Sequence, residues 1–204
     1  MRANTSRIVV SAFIVFAAFS GTVRAADSYK ISGADVTIVC PLTVGGSFEA
    51  RTKSVTGQVA PASQRGTVAG TVKIDLKTLE TGISLRDRHM RSNYLEVQKG
   101  PQFAVATFDN IRVDKLDGKT KFSGTLLLHG QRKNVSGVAD VQQRGGQLRV
   151  QAQFPIRVSE FQIPKPTYLG VGVRDEIQVK VTLTAVPSAV ATTGSGNAAV
   201  ARSR

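Results

Sequence analysis

The chain has 204 residues, a formal net charge of +13, no tryptophan and only 6% aromatic residues. This length allows one domain with a substantial core. The basic residues are scattered and are not interleaved with stacking aromatics, so the charge indicates a basic surface and not a nucleic-acid-binding protein. Frequent Gly, Val and Thr favour strands and tight turns over helices.

The first 25 residues have the pattern of a secretory signal peptide. Arg2 and Arg7 give a positive start, residues 8–19 are almost wholly apolar, and Ala25 supplies the small residue expected before a cleavage site. The apolar run is short for a helix that crosses a bilayer, and an uncleaved anchor is the alternative. We therefore expect export, removal of residues 1–25 and no membrane span in the mature chain.

Strands and turns follow one another from Tyr29 onwards. Residues 29–40, 47–59 and 67–76 are predicted strands, and the alternation of apolar and polar side chains is clearest in the third. Cys40 continues the alternation of Val36 and Ile38, which predicts a buried thiol. Because it is the only cysteine, no internal disulfide can form.

An arginine-rich stretch then interrupts the strands. It contains Arg86, Asp87, Arg88, His89 and Arg91. Residues 85–97 lack Gly and Pro, which allows a short helical insert near residues 84–97. Asp87 and Arg91 are four positions apart, so we expect such a helix to pair their charges on its surface.

Five more strands are predicted after the insert, at residues 103–113, 121–129, 135–142, 148–158 and 177–185. Asp117-Gly118 and Gly145-Gly146 indicate hairpins, residues 130–134 are a predicted turn, and His129 is expected to bond nearby backbone. Residues 159–174 contain two prolines and two glycines, which predicts a long irregular connection. Residues 187–204 lack periodicity and are rich in Ala, Ser, Thr and Gly, which predicts a disordered tail after a domain spanning 26–186.

Two all-β architectures fit this pattern. Short turns imply antiparallel neighbours, and each strand has one apolar face. Such a sheet can close into an up-and-down barrel of eight strands, which removes its edges and can hold one small ligand. A two-sheet sandwich would give the same alternation, so periodicity leaves both open.

The arginine-rich stretch permits three interpretations. It can be a solvated, ion-paired cap on a barrel end, or a mouth that meets a polar head group, since the planar guanidinium suits phosphate oxygens. It can also support acid–base chemistry at His89. With two His and one Cys the chain has too few ligands for a typical zinc site, and no nucleophile pattern accompanies His89. We expect no metal, no cofactor and no enzyme, and keep a hydrolase or isomerase using His89 as the less favoured alternative.

Three segments together resemble one family. They are residues 75–97, residues 124–135 (Gly-Thr-Leu-Leu-Leu-His-Gly-Gln-Arg-Lys-Asn-Val) and residues 168–177 (Tyr-Leu-Gly-Val-Gly-Val-Arg-Asp-Glu-Ile). In this order they resemble the YceI-like family of periplasmic lipocalin-like proteins, which bind polyisoprenoids or other long-chain lipids. The resemblance covers roughly residues 29–185. It implies an eight-stranded antiparallel lipocalin-like barrel with an apolar pocket. The family commonly has a histidine near position 40, where this chain has Cys40-Pro41, so a ligand contact by that histidine is not carried over.

The resemblance implies a periplasmic protein that sequesters or carries a polyisoprenoid or similar long-chain lipid. The expected cavity lining is Val72, Ile74, Phe108, Leu126, Leu128, Phe154, Ile156, Val179 and Val181. The expected mouth is Arg86, Arg88, His89, Arg91, Tyr168 and Arg174. The alternative is a basic module with a filled core that docks on an anionic partner through the arginines of the insert, and a homodimer is left open.

Overall fold

The computed structural model describes residues 28–62, 66–168 and 170–188. The predicted signal peptide at residues 1–25 lies outside the described residues, as does the tail from residue 189 onwards. The last strand ends at Ser188. Residues 187 and 188 of the predicted tail therefore belong to the sheet.

The described residues form strands joined mostly by short turns. The strands are β1 (Ser28–Pro41), β2 (Ser47–Thr52), β3 (Val55–Pro61), β4 (Thr67–Asp75), β5 (Val105–Val113), β6 (Gly118–Leu128), β7 (Gln131–Arg144), β8 (Gln147–Arg157), β9 (Thr167–Tyr168), β10 (Val171–Gly172) and β11 (Glu176–Ser188). The helices are α1 (Ser84–His89), continued by a π-helical turn (Met90–Tyr94), and α2 (Pro101–Ala104). Short 3-10 turns lie at Leu76–Thr78, Val97–Lys99 and Val158–Phe161.

The main sheet closes on itself. Its neighbours run in the order β11, β8, β7, β6, β5, β4, β3, β1, and β1 pairs back to β11 over most of its length. All of these pairs are antiparallel. The predicted eight-stranded antiparallel barrel is therefore confirmed, and the closure excludes the two-sheet sandwich.

The predicted second strand, residues 47–59, is wrong as a single strand. β2 pairs with Val36–Pro41 and β3 with Tyr29–Lys30, so the two share one edge of β1 and count as one position in the barrel. The break follows Thr52, whose buried hydroxyl accepts from the Ser54 amide at 3.0 Å and lies 2.6 Å from the Thr78 hydroxyl. These bonds turn the chain between the two pieces.

The turns are tighter than the sequence suggested at one place. His129 and Gly130 have φ values of 51° and 75° and join the paired residues Leu128 and Gln131, which is the geometry of a two-residue hairpin turn. The predicted turn at residues 130–134 is thus too long, because β7 begins directly at Gln131. The predicted Gly145-Gly146 hairpin is confirmed, with φ values of 55° and 78°.

The strand predicted at residues 103–113 begins later than expected. α2 occupies Pro101–Ala104, with proline at its first turn, and β5 starts at Val105. Proline tolerates the first helical turn because its missing N–H has no partner there anyway. The helical insert predicted near residues 84–97 is confirmed by α1 and the two turns that follow it.

The two ends of the barrel differ. One end, called here the capped end, carries the insert between β4 and β5, the connection between β8 and β11, and the turns at residues 42–46 and 129–130. The opposite hairpin end carries the turns that join β3 to β4, β5 to β6 and β7 to β8. The polar residues of the predicted mouth all lie in segments of the capped end.

The wall opens between β7 and β8 towards the capped end. Their pairing stops at Val138 and Gln153, although both strands continue. A methyl group on Gly137 would lie 2.2 Å from the backbone carbonyl oxygen of Gln153, so the backbone N–H and C=O of Gln153 point towards β7. Two residues later the backbone of Pro155 points the same way. Because proline has no N–H to donate, the β7–β8 hydrogen-bond ladder ends there.

Candidate functional site

The inner wall brings the nine predicted cavity residues together. Val72, Phe108 and Leu126 form one cross-strand row. Six of the nine are buried, and Ile74, Phe108 and Val181 are partly exposed while they pack on the same apolar cluster. All nine therefore face inward, and their contact with a ligand stays a prediction.

Three phenylalanines meet in the interior. Phe122 meets Phe108 and Phe154 edge-on, with centroids 6.0 Å and 5.8 Å apart, and the latter two rings stack at 6.3 Å. Two glycines make room for them. A methyl group on Gly124 would lie 2.4 Å from the Phe108 ring, and one on Gly137 would lie 2.7 Å from Phe154 Cβ. The cluster forms in this arrangement because these two positions lack a side chain.

Several residues of the inner apolar cluster remain partly exposed. Inward-facing side chains of a packed core are normally enclosed on all sides. Phe108 and Val181 lie in the middle of β5 and β11, away from the strand ends, and both retain partial exposure. Partial exposure is shared by other members of the cluster, namely Ile38, Ile74, Ile111, Val113, Val150 and Leu183. An interior with room for a ligand would expose these residues in this way.

Asp87 fixes the insert to the barrel. Its buried carboxylate accepts hydrogen bonds from the Thr81 amide at 2.7 Å and from the Thr81 hydroxyl, which satisfies a charge that would be costly to bury alone. The expected pairing with Arg91 is wrong. Arg91 donates instead to the Leu79 carbonyl at 3.0 Å, because the π-helical turn that starts at Met90 rotates it away from the regular i, i+4 position.

Arg86 is the mouth residue that reaches the inner wall. Its guanidinium lies 4.3 Å from the centre of the Phe48 ring, a favourable cation–π distance. Its Nε donates to the Thr81 hydroxyl at 2.8 Å. Phe48 pairs across β1–β2 with the inward-facing Cys40. Burial raises the pKa of the Cys40 thiol to about 11, and the positive charge of Arg86 opposes that rise. Among the described residues no carboxylate lies within 4 Å of Arg86.

The other predicted mouth residues are not gathered around Arg86. Arg88 and His89 are exposed on α1. Arg174 binds the β1–β2 turn, where its Nε donates to the Leu42 carbonyl at 3.2 Å. The side chain of Tyr168 lies outside the described residues. The structure thus singles out Arg86 and leaves the remaining mouth residues as predictions.

Two depressions lie on the outer surface. One, of about 550 Å³, lies on the insert and is lined by Glu80, Gly82, Ser84, Asp87, Arg88, Arg91, Ser92 and Gln98. The other, of about 770 Å³, follows β6, β7, β8 and β11 and includes Lys115, Lys119, Lys121 and Lys180. Its lining comes from adjacent strands and lacks the opposite wall, so it is an outer groove. Of the nine predicted cavity residues its lining includes Val181, so the partial exposure of Val181 belongs at least in part to this groove.

His129 joins three segments of the capped end. Its Nδ1 lies 3.0 Å from the Phe161 carbonyl oxygen, so this nitrogen carries the proton and donates. The expected bond to backbone is confirmed, but the partner is 32 residues away. Nε2 lies 3.2 Å from the Glu96 carboxylate without the alignment of a hydrogen bond. Lys99, 2.7 Å away, lowers the pKa of Glu96 mainly through its hydrogen bond.

Sequence reasoning did not find Glu96 or Phe161. Glu96 has a φ of 50°, a left-handed conformation that is unusual for a non-glycine residue. No sequence pattern predicts this conformation. Phe161 is fully buried, although it lies in a connection predicted to be irregular. A phenylalanine in a Pro- and Gly-rich connection was the one sequence feature that could have indicated a buried residue there.

No group of three His, Cys, Asp or Glu side chains in residues 28–62, 66–168 and 170–188 is placed to hold a metal ion. Within the same ranges, no helix has the length and apolar character needed to cross a bilayer.

Known proteins share this fold and parts of the sequence. Among solved structures, BcnA of Burkholderia cenocepacia superposes with a TM-score of 0.62 at 20% identity, covering 74% of this chain and 95% of that one. A polyisoprenoid binding domain from Saccharophagus degradans gives 0.61 at 18% identity, covering 78% and 98%. At these identities the likeness concerns the fold.

Sequence relatives match over a shorter stretch. A UPF0312 protein of Vibrio cholerae is 35% identical over 66 residues, or 31% of this chain and 33% of that protein. One from Vibrio vulnificus is 37% identical over 71 residues, or 34% and 36%. The alignments thus span about a third of these curated relatives. The profile of the YceI-like domain matches residues 29–185, most of the chain, and the protein belongs to the YceI-like domain family.

Proposed function

We propose that this protein carries or sequesters a polyisoprenoid or similar long-chain lipid in its barrel. The observation that carries the proposal is the set of inward-facing apolar residues that remain partly exposed, above all Phe108. A hydrocarbon chain placed beside them would leave water and fill the remaining space. The polyisoprenoid binding domain with the same fold supports this choice of ligand.

Arg86 supplies the polar end of the proposed site. A guanidinium stacked on an aromatic ring and bonded to a hydroxyl keeps donors for a phosphate or carbonyl oxygen. The hydrocarbon chain would then run from Arg86 along the inner wall towards the phenylalanine cluster.

The proposed activity is binding in the periplasm, without catalysis. The N-terminal sequence pattern supports export. His89 is exposed, and no observation favours its use as a base. The alternative of a basic module with a filled core is less favoured, because Phe108 and other inward-facing residues of the barrel remain partly exposed.

Native mass spectrometry of the exported protein, followed by lipid extraction, tests the proposal directly. We expect a discrete added mass that extracts as a long-chain isoprenoid. A bare protein that also fails to take up added polyprenyl lipid would overturn it.

Two matched pairs of variants locate the site. Val181→Phe fills the interior and should reduce lipid uptake, whereas Lys180→Phe changes the neighbouring outward-facing residue and should leave uptake unchanged. Arg86→Leu should weaken binding of a lipid with a polar oxygen head group, whereas Arg149→Leu, on the outer wall, should not. Equal uptake by both members of either pair would place the lipid elsewhere.

A further inference from the structure

Three large aliphatic side chains are exposed together at the capped end. Val44 in the β1–β2 turn is 70% exposed, and Ile83 and Leu85 in the insert are 53% and 58% exposed. Single exposed apolar residues are ordinary, but a group of them on neighbouring loops marks a contact surface. We call these three residues the apolar rim.

The contacts of β2 place the two loops side by side. Arg51 and Glu80 exchange backbone hydrogen bonds of 2.7 Å and 2.9 Å, so the insert begins beside the end of β2. Arg86 then lies over Phe48, near the start of β2. Ile83 and Leu85 therefore run back along β2 towards the turn that carries Val44. Phe48 and Arg86, the polar end of the proposed lipid site, lie between the two loops.

The surroundings of the rim carry a positive excess. Residues 42–52, 76–104 and 158–175 of the capped end contain eight cations, Arg51, Lys77, Arg86, Arg88, Arg91, Lys99, Lys165 and Arg174, and six carboxylates, Glu49, Glu80, Asp87, Glu96, Glu160 and Asp175. Glu49 pairs with Arg51, Glu96 with Lys99 and Asp175 with Lys165, and Asp87 bonds Thr81. Arg88 and Arg174 are exposed and can meet an anionic partner.

We propose that the apolar rim docks on the surface of an anionic phospholipid bilayer. Aliphatic side chains flanked by cations match the boundary between lipid head groups and acyl chains, where anionic lipids add electrostatic attraction. Docked in this way, the protein presents the Arg86 end of its barrel to the membrane. The inference rests on the proposed lipid carriage for its purpose, because a long-chain lipid could then pass between bilayer and barrel without crossing water.

The outer groove offers a matched rival surface. Val138 lines this groove and Leu116 lies in the neighbouring β5–β6 turn; they are 58% and 50% exposed. The charged residues of the groove are Lys115, Lys119, Lys121 and Lys180 with Asp114 and Asp140. This patch has similar chemistry but lies away from the capped end. Substitutions there test whether any exposed apolar and basic patch binds membranes, or the rim alone.

The experiment measures co-sedimentation of the mature protein with vesicles of phosphatidylglycerol and phosphatidylethanolamine, and with neutral phosphatidylcholine vesicles. We expect preferential binding to the anionic vesicles. Removing three interfacial aliphatic side chains in Val44→Ser/Ile83→Ser/Leu85→Ser should weaken this binding by about tenfold or more. Leu116→Ser/Val138→Ser should bind like the wild type.

Uptake of added polyprenyl lipid from detergent solution is measured on the same variants. Unchanged uptake by the rim variant, together with lost vesicle binding, supports docking as a separate step. Three results would overturn the docking proposal: a wild-type protein that does not bind vesicles, a rim variant that binds them fully, or a Leu116→Ser/Val138→Ser variant that loses as much vesicle binding as the rim variant. Vesicle binding without lipid uptake by any protein would overturn the proposed function and leave docking intact.

Discussion

The two glycines beside the phenylalanine cluster allow a graded test of the interior. In Gly124→Ala the new methyl would lie 2.4 Å from Phe108 Cζ and 2.7 Å from its Cε2. Phe108 is partly exposed, so we expect its ring to move aside. Overpacking of this kind costs about 1–3 kcal/mol of unfolding free energy.

Gly137→Ala meets a harder obstacle. Its methyl would lie 2.2 Å from the backbone carbonyl of Gln153, which cannot move without disturbing the β7–β8 pairing that ends there. We expect a loss above about 3 kcal/mol, in the range of severe core substitutions. Because the chain has no tryptophan, urea unfolding is best followed by far-ultraviolet circular dichroism, with the slope m checked for constancy.

The same variants also test the proposed lipid cavity. If Phe108 turns into the interior in Gly124→Ala, the variant should take up less polyprenyl lipid. Phe108→Leu added to Gly124→Ala should relieve the clash and give a coupling energy above about 1 kcal/mol in a double-mutant cycle. Gly137→Ala as stable as Gly124→Ala, or strict additivity in the cycle, would refute this account of the interior.

Three further predictions concern single groups. The buried Cys40 thiol has its pKa raised to about 11, while an unfolded thiol ionises near pH 9.0. Stability relative to Cys40→Ala should hold below pH 9 and fall by about 2–3 kcal/mol as the pH rises to 11, measured by urea unfolding. The pKa of Glu96 is lowered, chiefly by Lys99. The ionised Glu96 carboxylate should therefore stabilise the folded protein at neutral pH, and this stabilisation should be lost in acid. We expect the melting temperatures of wild type and Glu96→Gln to converge as the pH falls to about 3. Pro155→Thr restores an N–H facing β7 and should add a protected amide there in hydrogen exchange, whereas an unprotected amide would contradict the assigned cause of the gap.

The strand pattern was predictable where one face of a strand is apolar throughout. β8 and β11 alternate without interruption, and a one-residue shift would turn their whole apolar face to solvent, so sequence alone fixes their register. The break between β2 and β3 was not predictable. It depends on Thr52 reaching Thr78 across 26 residues, a contact that no local pattern reveals.

The sequence could not separate the arginines of the insert, because they are the same residue type within one short stretch. Arg86 and Arg88 are two positions apart and differ in no chemical respect. Their roles separate only when Thr81 folds back to bind Asp87 and Arg86 together. This tertiary contact turns Arg86 towards Phe48 and leaves Arg88 in solvent. The α2 turn, in contrast, could have been found, since Gly100-Pro101 is a recognised way to begin a helix.

Under the proposed lipid binding, the same contact selects the head group of the ligand. Asp87 is the carboxylate nearest to Arg86 in sequence, and its oxygen is already used by the Thr81 amide and hydroxyl. Among the described residues Arg86 therefore has the Phe48 ring, and no acid, beside its charge. A half-buried cation without a counter-ion is stabilised by a ligand with acceptor oxygens and gains nothing from a cationic or purely hydrocarbon end. The ligand should therefore place phosphate or carbonyl oxygens at Arg86 and its hydrocarbon chain against the phenylalanine cluster.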